Sequence, residues 1–402
     1  VQLNLSTDKP TRTGYTFASW NTAADGSGTK WNPGDNYTPD YNGGTVTLYA
    51  QWTKDTYTIS YNLNGGKISG QKTSYDVTTE AFTLPTPVRG GYTFSGWTGT
   101  GLSSATKTVT VAKGSAGNRS YTANWSAKIY TIYFDYNKPE TDGTVGGAGT
   151  TSKSVRFDST YGALPSPSLD GYTFDGWYTA ASNGIKISSG TTYKTGGSTR
   201  LYAHWTLNTY SISYTLNGGS ISGQPTSYNV NTATFTLPTP TRVGYIFTGW
   251  TGSNGTTAQK SVSIAKNSTG NKSYTANWSL NTYTISYTLN GGNISGQKTS
   301  YDVTTEAFTL PTPTRTGYTF TGWTGTGLSS ATKSVTVAKG STGNRSYTAN
   351  WSANGYTVSF NYNKPTTDGS IANGTTSSKS VTFDSTYGIL PAPTLNGYTF
   401  AG

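Results

Sequence analysis

General acid–base catalysis near neutrality calls first on histidine, and this chain of 402 residues holds one, His204. It fills the variable slot before Trp205, taken elsewhere by Gln51, Asn124, Asn277 and Asn350, and reads as a solvent-side polar position on a strand. There is no cysteine, which removes thiol nucleophiles, disulfides and zinc thiolates. Asp25-Gly26-Ser27-Gly28 with Asp35 and Asp40 loosely suggests calcium, but it lacks the alternating oxygen ligands and closing Glu of an EF-hand loop. Turns carrying solvated Asp side chains are expected there instead. Asp302 and Glu306 are the acids that a Lys–Asn isopeptide bond in residues 279–351 would need. Asn229 and Ala233 replace them in 206–278, so a cross-link common to all units is not expected. That stretch, 206–278, contains no Asp, Glu, His or Cys. If the units are equivalent, no acid–base pair, metal cage or thiol is common to them. The expectation is no catalytic residue, no metal and no cofactor.

What remains is aromatic chemistry: 31 Tyr, 13 Phe and 11 Trp, a content that excludes a disordered chain because such chains lack large groups to bury. Most of these rings recur at fixed positions and are expected in cores. Tyr37, Tyr41 and Tyr193 fall outside the alternation and are the candidates for stacking against a sugar.

The elements that hold the rings form one repeated module. Gly317-Tyr318-Thr319-Phe320-Thr321-Gly322-Trp323 is answered 28 residues later by Trp351. The same signature appears as Gly91, Tyr92, Phe94 and Trp97 with Trp125, and as Gly171, Tyr172, Phe174 and Trp177 with Trp205. It returns as Gly244, Tyr245, Phe247 and Trp250 with Trp278. Gly14 to Trp20 is answered by Trp52, and a last opening half begins at Gly397. The modules are therefore 53–125, 126–205, 206–278 and 279–351, with partial modules at 1–52 and 352–402. Three are 73 residues long and 126–205 is 80, with an insertion at Asn137-Lys138-Pro139-Glu140-Thr141-Asp142-Gly143 matched at 363–369. Residues 57–126 match 283–352 with seven differences, at an offset of 226 that equals three successive modules. Recent segmental duplication explains such copies. Since Val1 and Gly402 both fall inside modules, a window onto a longer array is expected.

Each module reads as β. In Tyr283-Thr284-Ile285-Ser286-Tyr287-Thr288-Leu289 apolar residues alternate with hydroxyl residues, the period of a half-buried strand. Asn290-Gly291-Gly292 supplies positive φ for a tight hairpin, with a return strand expected at 295–303. Leu310-Pro311-Thr312-Pro313 is an extended crossover, since proline cannot donate to a ladder. Strict alternation would put Trp323 on the face opposite Phe320, so a β-bulge at Gly322 is predicted to restore it. Val335 and Val337 line a further strand, and Tyr347, Ala349 and Trp351 the last. Only 303–308 tolerates helix, for one or two turns.

The net charge is +11, distributed over the modules as −1, +4, +1, +4, +3 and 0, with no two basic residues adjacent. Nucleic-acid surfaces cluster their cations, so no nucleic acid is expected, and weak attraction to anionic polymers is. No run of about 18 apolar residues exists to span a membrane.

On the pattern Pro-x-x-x-Gly-Tyr-Thr-Phe-x-Gly-Trp followed by Leu-Tyr-Ala-x-Trp, the chain resembles the Listeria–Bacteroides repeat family, the B repeats of internalin-like surface proteins. Residues 1–52 and 171–205 match best, the latter ending Leu201-Tyr202-Ala203-His204-Trp205. The 73-residue modules depart with Trp-Thr-Gly for Trp-Tyr and Tyr-Thr-Ala-Asn-Trp at the close. The resemblance implies small β-grasp-like modules on secreted or wall-attached bacterial proteins. A mainly β tandem array with little or no helix is expected, non-enzymatic, forming a cell-surface stalk or extracellular fibre that self-associates. The alternative is an adhesin that recognises glycans or anionic cell-wall polymers by avidity.

Overall fold

The structure, a computed structural model, describes residues 2–38, 44–366, 369–373 and 376–402. The chain divides into two compact units, Val1–Asn208 and Thr209–Gly402. Both are built from the same β module, and 279–351 displays its logic.

Tyr283–Thr288 (β1) alternates as the sequence requires, with Ile285 buried and Thr284 and Ser286 exposed. Asn290 and Gly291 then turn the chain at φ 49° and 83°. The tight turn closes, Gly292 N donating to Leu289 O at 3.0 Å, and the expected return strand is present, but the two strands do not pair directly beside the turn. Asn290 Nδ2 donates to Ala349 O at 3.0 Å, and Asn293 bridges to Thr314. The turn is thus tied to the last strand, and the chain rejoins β1 only at Ser300–Tyr301 (β2), where Tyr301 faces Tyr283. The stretch 303–308 opens in a turn and ends in a strand, with no helix. Asp302 accepts from Thr304 N at 2.8 Å and Thr304 Oγ1 at 2.7 Å, local bonds that compete with helix formation. No helix occurs among the described residues.

Phe308–Thr309 (β3) pairs with Thr336–Val337 (β5), the strand read from Val335 and Val337. Tyr318–Gly325 (β4) and Arg345–Ala353 (β6) are the two long strands. The main sheet runs β2-β1-β6-β4, with β1 and β6 parallel at its centre and the outer pairs antiparallel. Everything from residue 289 to 344 is the crossover that a parallel pair demands. The core gathers Ile285, Tyr301, Trp323, Tyr347 and Ala349 from the sheet, with Leu310, Val335 and Val337 from the β3–β5 ribbon and its flanks. Trp323 is 0% exposed.

The predicted bulge is present. Phe320 faces Trp351 and Gly322 faces Asn350, so the register slips by one between them and Trp323 turns inward. Gly322 adopts φ 141°, and a Cβ there would come 2.7 Å from Thr332 N, which only glycine avoids. Equivalent slips occur at Gly96, Gly176 and Gly249, and at Ser19 in the first module.

The order β2-β1-β6-β4 recurs in 53–125 and 206–278, with an added edge strand, Gly255–Gln259, in the latter. In 126–205 the sheet has five strands and the core contains Tyr161 and Tyr193.

Within each unit, modules meet through very short links. Lys128 alone separates Arg119–Ala127 from Ile129–Asp135. Asn281 and Thr282 separate Lys272–Leu280 from Tyr283–Thr288. The signature glycine forms the joint. Gly91 O accepts from Lys128 N at 2.9 Å, and Gly244 O and Gly317 O accept from Asn281 N and Asn354 N at the same distance. At φ near 80° these glycines present a bare backbone to one side chain of the following module. That side chain is Val77 at Gly14, Phe157 at Gly91, Val303 at Gly244 and Phe383 at Gly317. A Cβ at any of them would fall inside the plugged side chain. The glycine is a socket.

Among the described residues no helix is long and apolar enough to cross a membrane, a statement that does not touch β-barrels.

Candidate functional site

Residues that sequence reasoning placed in the core lie there: Trp97, Trp177, Trp250 and Trp323 are at most 1% exposed. Phe94, Phe174, Phe247 and Phe320 each pack edge-on to the following Trp at 5.3–5.7 Å. Trp125, Trp205, Trp278 and Trp351 are half-buried, and each indole N–H donates to a backbone carbonyl of its module's opening turn at 2.9–3.0 Å. Gly171, at φ 79°, accepts from Asn208 N at 2.8 Å.

Among the described residues, Tyr37 and Tyr193 do not form a shared sugar platform. Tyr193 is fully buried among Tyr130, Phe157 and Tyr161, with its hydroxyl bonded to Gly197 O. This corrects its reading as a surface ring: it falls outside the alternation because a loop folds it into the core. Tyr37 is half-buried, packed edge-on against Trp31 at 5.4 Å. Tyr41 lies outside the described residues.

The polar candidates have structural occupations. His204 is half-buried rather than solvent-facing, stacked on Tyr178 at 3.9 Å with Nε2 2.9 Å from Ala180 O. Its counterparts Asn124, Asn277 and Asn350 each donate to the bulge glycine's carbonyl at 3.1 Å. The slot braces the bulge. Asp25 accepts from Ser27 N at 3.0 Å and Ser27 Oγ at 2.6 Å, bonds that hold its carboxyl below the ordinary range. Asp35 accepts from Asn32 N at 2.5 Å, while Asp40 lies outside the described residues. No cluster of three His, Asp or Glu side chains suited to a metal occurs among the described residues. Glu306 pairs with Lys339 at 2.5 Å, and Asp302 is occupied by its threonine turn, so neither acid is poised for an isopeptide bond.

Sequence reasoning missed a feature that the structure repeats. Three residues before the signature tyrosine stands Arg12, Arg89, Arg242 or Arg315, whereas Leu169 and Leu395 take the place in the long modules. The tyrosine N–H closes a turn onto the carbonyl at that position, at 3.2 Å for Tyr92 and 3.1 Å for Tyr245 and Tyr318. Glycine with positive φ at the third place is what a type II turn requires. The turn lays each guanidinium over its tyrosine ring, 3.6 to 4.1 Å from the centroid. In 53–125 the pair borders a groove of about 490 Å³ whose walls include Pro87, Phe94 and Trp125, with Lys107 and Lys128 at the rim. The same groove returns in 279–351 at about 510 Å³, bounded by Pro313, Phe320, Trp351 and Lys333. The recurring Arg-x-Gly-Tyr spacing is the signal that finds it in sequence.

One acid stands nearby: Asp158 of the next module accepts from Tyr92 Oη at 3.0 Å and is flanked by Lys194 at 3.8 Å. Burial and that carboxylate together push the Tyr92 phenol above its ordinary pKa.

Fold and site together define a tandem-repeat β protein whose recurring surface feature is a cationic, aromatic-walled groove. The chain belongs to the Listeria-Bacteroides repeat domain family, whose model matches residues 2–51, 57–118, 130–204, 210–277, 283–352 and 356–402. This family places it among bacterial cell-surface repeat proteins. It is 31% identical over 319 residues to a putative Gly-rich membrane protein of Evansella cellulosilytica, covering 77% of this chain and 34% of that protein. A putative membrane protein of the same organism is 28% identical over 290 residues, 69% of this chain and 40% of its own length. Internalin H of Listeria monocytogenes is 41% identical over 88 residues, 22% of this chain and 15% of its own. The chain thus spans well under half the length of these relatives.

Proposed function

We propose that this chain is a non-enzymatic spacer: a run of helix-less, β-grasp-like modules forming an extended stalk on a bacterial surface. The observation that carries this reading is the glycine socket. Within each unit a link of one or two residues and a plugged side chain fasten one module to the next. Such nearest-neighbour coupling makes stability roughly additive along the array and restrains bending at each joint. The strand order, with β1 and β6 parallel at the sheet centre, supports the β-grasp comparison. Lateral association into fibres through exposed sheet edges is a further property of the same reading.

Force spectroscopy on the whole chain tests it. Independent modules give a sawtooth, each 73-residue module releasing up to about 250 Å of contour length. Featureless extension at low force would exclude a load-bearing stalk.

A further inference from the structure

We infer that the Arg–Tyr grooves are binding sites for an extended anionic polymer, specifically a phosphodiester-linked sugar or polyol chain. Four observations converge on it, none of which depends on the stalk reading.

First, among the described residues, the side chains of Arg89, Arg242 and Arg315 have no carboxylate or carbonyl acceptor in a hydrogen bond or ion pair. An unpaired guanidinium keeps its five N–H donors available, and they form a planar fork matched to phosphate oxygens. Second, the fork is pre-positioned. Tyrosine supports one face of each guanidinium, and the backbone of Gly65, Gly218 or Gly291 lies alongside. A donor held in place loses little conformational freedom on binding. The tyrosine itself is not a sugar platform, because Arg89 covers one part of Tyr92 and Phe157 meets it edge-on at 5.4 Å. Its role is to hold the arginine.

Third, the groove pairs this charge with apolar surface. In 53–125 the half-buried rings of Phe94 and Trp125 and the ring of Pro87 offer a wall for C–H groups of a sugar or polyol, with Lys107 at the rim and no carboxylate among the lining residues. A bare anion has no use for that wall. Fourth, the module bearing leucine at the arginine position, 126–205, has a net charge of +1, whereas 53–125, 206–278 and 279–351 carry +4, +4 and +3. Fork and positive field coincide in these three modules, while 1–52 carries Arg12 at a net charge of −1. Equivalent weak sites repeated along a chain suit a ligand that itself repeats, so affinity accumulates through avidity. Phosphodiester is preferred over carboxylate because a second cation, Lys107 or Lys333, borders each groove. A tetrahedral phosphate accepts from a fork and a point charge at once.

The test is retention of the 402-residue chain on immobilised poly(glycerol phosphate), with polygalacturonate of matched charge density as the carboxylate arm. The wild-type chain is expected to bind the phosphodiester polymer and to release it as salt rises. Combined Arg89→Gln, Arg242→Gln and Arg315→Gln is expected to weaken binding at least about tenfold for each site removed. The matching lysine variant keeps the charge but loses the fork, and is expected to fall between. Should the variants unfold, Arg Nε–H resonances of the wild-type chain provide the readout: those of Arg89, Arg242 and Arg315 shift on adding polymer, while the Leu169 methyls do not. Equal retention of the glutamine variant, equal or tighter binding of polygalacturonate, or unmoved arginine resonances would overturn the inference.

Discussion

Replacing Gly91 by alanine isolates the joint between two modules. Gly91 sits at φ 79°, where a residue with a Cβ is strained by about 1–2 kcal/mol. Its new methyl would also overlap the ring of Phe157, which must move. Phe157 is half-buried and packs on Tyr92, Tyr130 and Tyr193 at 5.4, 6.5 and 6.4 Å. Losing that burial costs about 1 kcal/mol, and the ring contacts add about 0.5–1.5 kcal/mol each where they break. The joint should therefore weaken by roughly 3 kcal/mol, a factor of about 100 in its opening equilibrium. Amide hydrogen exchange reads it directly, because Lys128 N donates across the joint to Gly91 O and Phe157 N donates to Lys128 O. Protection at both amides is expected to drop about 100-fold, while core amides of 206–278 stay unchanged. Gly90→Ala is the control, since nothing lies within 4 Å of its would-be Cβ and Thr316 occupies the equivalent place. A loss below about threefold at Lys128, or an equal loss in the Gly90 variant, would refute the socket.

Trp177→Phe is expected to cost about 1 kcal/mol more than Trp323→Phe by calorimetry. The Trp177 indole donates to Pro165 O at 2.7 Å, whereas that of Trp323 is buried without an acceptor. Acid should act unevenly on the module turns. Lys54 and Thr78 hold the Asp76 carboxyl below its ordinary pKa, and Thr304 does the same for Asp302. The stability these bonds contribute is present above the usual carboxylate pKa of about 3.9 and is lost as pH falls through the lowered folded values. Asn229 makes the equivalent bond to Asn231 N at 2.9 Å without a titrating group. Amide shifts of Thr78 and Thr304 should therefore move in acid while that of Asn231 holds. At the alkaline end, burial raises the phenols of Tyr61, Tyr214 and Tyr287. Their contribution is complete below the unfolded pKa of about 10 and disappears as pH climbs through the folded values. An absorbance titration should show late phenolate formation coupled to unfolding.

Local patterns carried most of the fold into the sequence. Hydroxyl–apolar alternation marked the first strand of each module, the prolines marked the crossover, and Gly322 marked the bulge that sends Trp323 inward. Non-local pairing left no such trace. That Tyr283–Thr288 runs parallel to Arg345–Ala353 depends on a partner some 60 residues away, and no window across either strand encodes it. The wide loop between the Asn290 turn and the return strand at Ser300–Tyr301 was hidden for the same reason: Asn290 bonds to Ala349, distant in sequence. Tyr193 was misplaced because a loop residue has no periodicity from which burial can be read. The Arg–Tyr pair was legible in spacing alone, since a four-residue turn suffices to bring its members together, but its meaning needed the groove beside it.

Within each unit, the socket and its plug lie on opposite sides of a module boundary. A module exposes the glycine for its successor and brings its own Val77, Phe157, Val303 or Phe383 to its predecessor. A glycine receives either kind of plug, so splicing a module in or out leaves a compatible junction behind. Gene segments encoding 53–125 and 279–351 are nearly interchangeable, and misaligned recombination between them would remove or add three modules in register. A missing methyl group thus leaves the array free to change length in whole-module steps without a new kind of interface.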